Sequence, residues 1–144
     1  MNGIDVENIY SSEATYFMNI EPIKLKITGY YSRFQNMNEI SFFFAQGLAG
    51  LEESSDFVSE IMTGSSRDHY GIEFGIESKI SSTVKASGGV AFGEYVYTNN
   101  PNLYLTSDDI TGTADYGTAY IKNYKVPGTP QRGYSLGLEY RNPN

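Results

Sequence analysis

An all-β fold, an antiparallel up-and-down meander of about five long strands, is what the sequence predicts, and three observations carry it. Apolar and polar residues alternate with a period of two along most of the chain, most clearly over residues 69–98, "HYGIEFGIESKISSTVKASGGVAFGEYVYT". The composition is that of strands: 13 Tyr, 8 Phe and 15 Gly without Cys or Trp, and Tyr suits a pleated, half-buried surface. Helix signals are almost absent, since the best window, residues 52–61, lacks a sustained 3.6-residue period.

Taken in order, residues 1–12 have weak strand character and lead into a first strand. There Ala14, Tyr16, Met18 and Ile20 alternate with Glu13, Thr15, Phe17 and Asn19. Glu21-Pro22 ends it, because Pro cannot donate to a central ladder. The second strand sets Ile23, Leu25, Ile27, Gly29 and Tyr31 against Lys24, Lys26, Thr28, Tyr30 and Ser32. Polar residues 35–39 interrupt it before "ISFFFAQ" continues. Residues 46–56 are Gly-rich and acidic, hence a loop. "FVSEIMTG" opens the third strand, with "SSRD" as a candidate bulge before Tyr70, Ile72, Phe74 and Ile76. After a tight turn at 80–82, Val84, Ala86, Gly88, Val90 and Phe92 alternate with Lys85, Ser87, Gly89, Ala91 and Gly93. Residues 99–117, rich in Asn, Asp, Thr and Gly, read as one long loop. Residues 118–126 and 134–141 read as a last strand, kinked at "PGTP", with Tyr134, Leu136, Leu138 and Tyr140 on one face.

The connections sort themselves. They are tight at 20–22, 80–82 and 142–144, and long at 46–56 and 99–117, so all tight turns fall at one edge of the sheet. Transmembrane barrels sort loops this way, whereas Greek-key sandwiches mix them. An apolar band about 25 Å tall, crossed at about 45°, needs roughly ten residues, which residues 70–80 and 84–92 supply. The meander is therefore expected to be a partial wall of a transmembrane β-barrel. Tyr70, Ile72, Phe74, Ile76, Val84, Val90, Phe92, Leu136 and Leu138 would face lipid, and Glu73, Glu77, Lys85, Glu139 and Arg141 the lumen. Tyr16, Phe17 and Tyr140 near the tight turns, with Tyr30, Tyr31, Phe34, Tyr95 and Tyr97 near the long loops, would form aromatic girdles.

Several function classes find no support. The net charge of -7, without a basic run, argues against a nucleic-acid surface. No Cys means no disulfide and no thiolate metal site. No stretch reaches the roughly 18 apolar residues of a transmembrane helix, and residues 1–20 lack the pattern of a signal peptide. His69, the single histidine, has no placeable catalytic partner and is expected at a strand end facing water. Asp108, Asp109 and Asp115 could offer oxygens to Ca²⁺, but their spacing is not that of an EF-hand, and a solvated loop is expected. Glu73 and Glu77 stand about 14 Å apart along a strand, too far for a carboxylate pair acting together. "GTPQRG" lacks a P-loop lysine. No enzyme, metal or cofactor is expected.

Four phrases, "TGYYSRFQNMNEISFFFAQG", "FVSEIMTG", "GEYVYTNNPNLYLTSDD" and "AYIKNYKVPGTPQRGYSLGLEYRNP", resemble the C-terminal barrel region of outer-membrane TonB-dependent receptors. The branch most like it carries a carboxypeptidase-like regulatory domain at its N-terminus. The resemblance implies a 22-stranded barrel that imports a scarce nutrient, a small molecule or an oligomer, with energy delivered through TonB. It implies outer-membrane lipid, TonB and that nutrient as partners, and the cell outer membrane as location. Residues 1–144 would then be a single barrel segment without plug or signal peptide, hence a fragment, since about five strands close no membrane barrel. Two alternatives stay open: a small soluble β-sandwich binding through loops 46–56 and 99–117, and a barrel assembled from several copies.

Overall fold

The computed structural model describes residues 5–46, 55–107 and 113–142. It is an all-β, antiparallel meander: β1 (Asn8–Ile20), β2 (Ile23–Gln46), β3 (Ser55–Lys79), β4 (Val84–Tyr97), β5 (Asn102–Ser107), β6 (Ala114–Thr118) and β7 (Arg132–Tyr140). They form one sheet in the order β1-β2-β3-β4-β7, with β5 paired to β3 and β6 to β5, and the sheet does not close on itself.

The turn at 21–22 joins β1 to β2 as the Pro predicts, and the turn after β3 is held by Ile80 and Ser81 N–H groups donating to the Val84 carbonyl. Neither expected interruption breaks a strand. β2 runs through residues 35–39, with Asn36 at φ 57° absorbing the irregularity, a conformation that Asn tolerates. β3 runs through "SSRD", with Gly64 just before it at φ 70°, where the missing Cβ removes the steric penalty.

Two expectations fail. Residues 99–117 contain the hairpin strands β5 and β6, not one long loop. Their Asn, Asp and Thr content conceals the alternation of Leu103 and Leu105, and β5 adds to β3 with Val58 opposite Ser107 and Thr63 opposite Asn102. Residues 119–131 are not strand, apart from an isolated bridge at Lys125. The last strand starts only at Arg132, after the Pro127–Pro130 stretch that denies two ladder donors.

The chain divides into two compact units. The first comprises Met1–Ile9, Phe34–Arg67 and Val96–Tyr124; the second comprises Tyr10–Arg33, Asp68–Tyr95 and Lys125–Asn144. In the first, Val58 and Leu105 are buried and pack with Ala45. The second has almost no interior, and most of its large apolar side chains are exposed.

Candidate functional site

The second unit carries the chemistry on two faces of one sheet layer. Register separates them. β4 pairs antiparallel with β7, Val84 opposite Tyr140, Val90 opposite Tyr134 and Phe92 opposite Arg132; directly opposed residues share a face. A Cβ added at Gly88 would lie 3.7 Å from Ile76 and 3.6 Å from Leu136, which places Ile76, and with it Tyr70, Ile72 and Phe74, on that same face. All nine residues expected to face lipid thus stand together, with Tyr134 and Tyr140. The face is open: Ile72 is 51% exposed, Leu138 81% and Leu136 95%.

The other face carries the charges, as an ordered ladder. Lys24 and Lys85 flank Glu77 at 3.4 Å each, Lys85 reaches Glu139 at 3.3 Å, and Arg141 reaches Glu139 at 3.1 Å. Positive and negative groups therefore alternate across β2, β3, β4 and β7. Four of the five charged residues expected on the polar side join this row, and Glu73 shares their face four residues from Glu77. These pairs are a third or more exposed, Arg141 most of all, so each adds little to stability, and the main effect of the row is to oppose a register slip.

Further along this face, the hydroxyls of Tyr30 and Tyr95 hydrogen-bond at 2.7 Å. Gly71 and Gly93 make the room: a Cβ at either would meet the Tyr30 hydroxyl, at 2.6 and 2.7 Å. His69 packs edge-on against Tyr95 with ring centroids 4.7 Å apart, half-buried rather than facing water from a strand end. Beside the tyrosines lies a polar depression of about 350 Å³ bounded by Ser11, Glu13, Thr28, Ser32 and Glu73.

The aromatic girdles need correction. Tyr30 and Tyr95 lie on the polar face, and Phe17 shares the parity of Thr15, whose hydroxyl meets that of Thr28 at 3.0 Å on that face. Tyr16, Tyr31 and Tyr140 belong to the apolar face by the same alternation, joined by Tyr70 and Tyr134. Sequence proximity to a turn does not decide which face an aromatic takes; parity does.

Just past the apolar stretch, on its own face, Arg33 donates to Asp68 from Nε at 2.8 Å and Nη2 at 2.6 Å, and Tyr31 adds its hydroxyl at 3.0 Å. Asp68 is 8% exposed. The Arg33 hydrogen bonds hold its carboxyl below the usual range against the opposing effect of burial, and the same contact raises Arg33. At the tight turn, the hydrogen bond from Lys79 Nζ, 2.8 Å, lowers Glu21.

The first unit has its own polar cluster. Glu39 accepts from Ser65 at 3.1 Å, Arg67 at 3.2 Å and Tyr97 at 3.3 Å, while Arg67 also lies over the Phe34 ring. Burial, with Glu39 nearby, raises the Tyr97 hydroxyl. Asp115 accepts from Asn102 and from the Gly117 N–H, which makes it a turn-stabilising side chain; Asp108 and Asp109 lie outside the described residues.

Comparison with protein-family models, with curated proteins and with solved structures finds no match to this chain.

Proposed function

We propose that the chain forms part of the wall of an outer-membrane β-barrel of the TonB-dependent receptor kind, its apolar face in lipid and its charged face toward the lumen. In the parent protein this wall would enclose the path of a scarce nutrient, with TonB supplying the energy and segments 46–56 and 99–117 helping to capture it.

The observation that supports this reading most is the exposed apolar face of the second unit. Burying one Leu- or Phe-sized side chain is worth about 1.5–3 kcal/mol. About a dozen such side chains are exposed here, among them Tyr16, Ile20, Tyr70, Ile72, Phe74, Ile76, Phe92, Leu136 and Leu138. Their sum exceeds the roughly 5–15 kcal/mol of net stability typical of a domain, so a hydrocarbon cover is favoured over water. The dimension agrees: residues 70–80 at about 3.4 Å each, inclined at about 45°, span about 26 Å against an apolar band of about 25 Å. A soluble β-sandwich would ask for a second packed sheet, and the described residues form one.

Cell fractionation tests the proposal. The native protein is expected in the outer-membrane fraction, resistant to alkaline extraction and released by detergent. Recovery as a soluble monomer without detergent would overturn it.

A further inference from the structure

On the apolar face, a groove of about 510 Å³ crosses the second unit over Gly29, beside Tyr70, Ile72 and Phe92, with Glu94 and Arg132 at its rim. Its floor is open because a Cβ at Gly29 would find nothing within 4 Å. Its charged end has two parts. Arg132 stands directly opposite Phe92 in the β4–β7 register, is exposed, and forms no ion pair among the described residues. Glu94 is already engaged by Lys125 at 3.7 Å, and that lysine also donates to Gln131. The other arginine beyond this face, Arg33, is taken by Asp68. One apolar groove thus ends at one guanidinium that no carboxylate among the described residues engages.

We infer that this groove seats an acyl chain of an anionic phospholipid, with the lipid phosphate on Arg132. A guanidinium presents a planar fork that phosphate oxygens match, and an aromatic and aliphatic floor with a glycine gap suits a flexible hydrocarbon chain. The inference rests on the membrane reading above and adds to it a place and a charge preference for one lipid.

The full chain, purified in detergent and mixed with phosphatidylglycerol or phosphatidylcholine, is examined by native mass spectrometry for retained lipid. The wild-type protein is expected to retain phosphatidylglycerol in preference. Arg132→Gln is expected to cut that preference about fivefold, the effect of one basic residue at a lipid surface. Gly29→Leu, whose Cβ would meet nothing within 4 Å, places a side chain in the groove and is expected to lower retention of both lipids while leaving the preference intact. An unchanged preference in Arg132→Gln, or wild-type retention in Gly29→Leu, overturns the inference while the need for detergent keeps the membrane reading standing. Solubility without detergent would remove both.

Discussion

The two compact units solve the same problem differently. The first gains the hairpin β5–β6, which brings Leu105 beside Val58 and buries both, and its Glu39 cluster is shielded enough for Tyr97 to be 6% exposed. The second has longer regular alternation and a complete charge ladder, yet its largest side chains are exposed. Regular alternation sorts residues between faces but does not cover either one. The first unit therefore carries some of its own apolar cover, while the second depends on what surrounds it.

Substitutions should break that contrast in a graded way. The largest effect is expected on the open face: Leu136→Arg should cost about 2–4 kcal/mol in a bilayer, read as the shift in urea midpoint of the lipid-reconstituted protein. A neutral result there would mean the face is not in lipid. Val58→Ala in the first unit should cost about 1–3 kcal/mol, and by the same amount whatever detergent or lipid is used, since the cavity it leaves is internal.

Asp68→Asn should cost about 1–3 kcal/mol by leaving Arg33 without its carboxylate. The sign with pH follows from the lowered Asp68 value. The folded state holds this carboxylate ionised more strongly than the unfolded one, whose ordinary value is 3.8, so the stabilisation is complete above that value and fades as pH falls below it. Asp68→Asn should flatten the acid limb of a stability–pH curve, and an unchanged limb would assign acid sensitivity to other carboxylates. The smallest effect is expected at the ladder: Glu77→Gln should cost about 0.2–1 kcal/mol, diminishing with added salt in the same urea titration.

Much of this architecture is legible in the sequence. Alternation at 70–76 and 84–92, with the turns at 20–22 and 80–82, is short-range information, and the strands formed where it pointed. Partition of charged from apolar residues on β3, β4 and β7 follows from parity alone. Three things were not legible, each for a physical reason. The β5–β6 hairpin depends on pairing with β3 some forty residues earlier in the chain, and its Asn, Asp and Thr match loop composition. The ladder through Lys24, Glu77, Lys85 and Glu139 depends on cross-strand register, which a single strand does not encode. The meeting of the Tyr30 and Tyr95 hydroxyls depends on Gly71 and Gly93 leaving room for them, a vacancy visible only when strands are side by side.

That vacancy also constrains how the protein can change over time. A Cβ at Gly71 would run into the Phe92 carbonyl oxygen as well as the Tyr30 hydroxyl, and no replacement at residue 30 moves a backbone atom. At Gly93 the obstacles are the ends of two tyrosines, Tyr30 and Tyr95, which can shorten or swing away. Alanine at 93 meets one obstacle fewer once phenylalanine has replaced Tyr30, leaving only the end of Tyr95 to swing aside, whereas the reverse order passes through a more crowded intermediate. The same change is harmful or mild according to what preceded it, so the history open to residue 93 has a direction that the history open to residue 71 lacks.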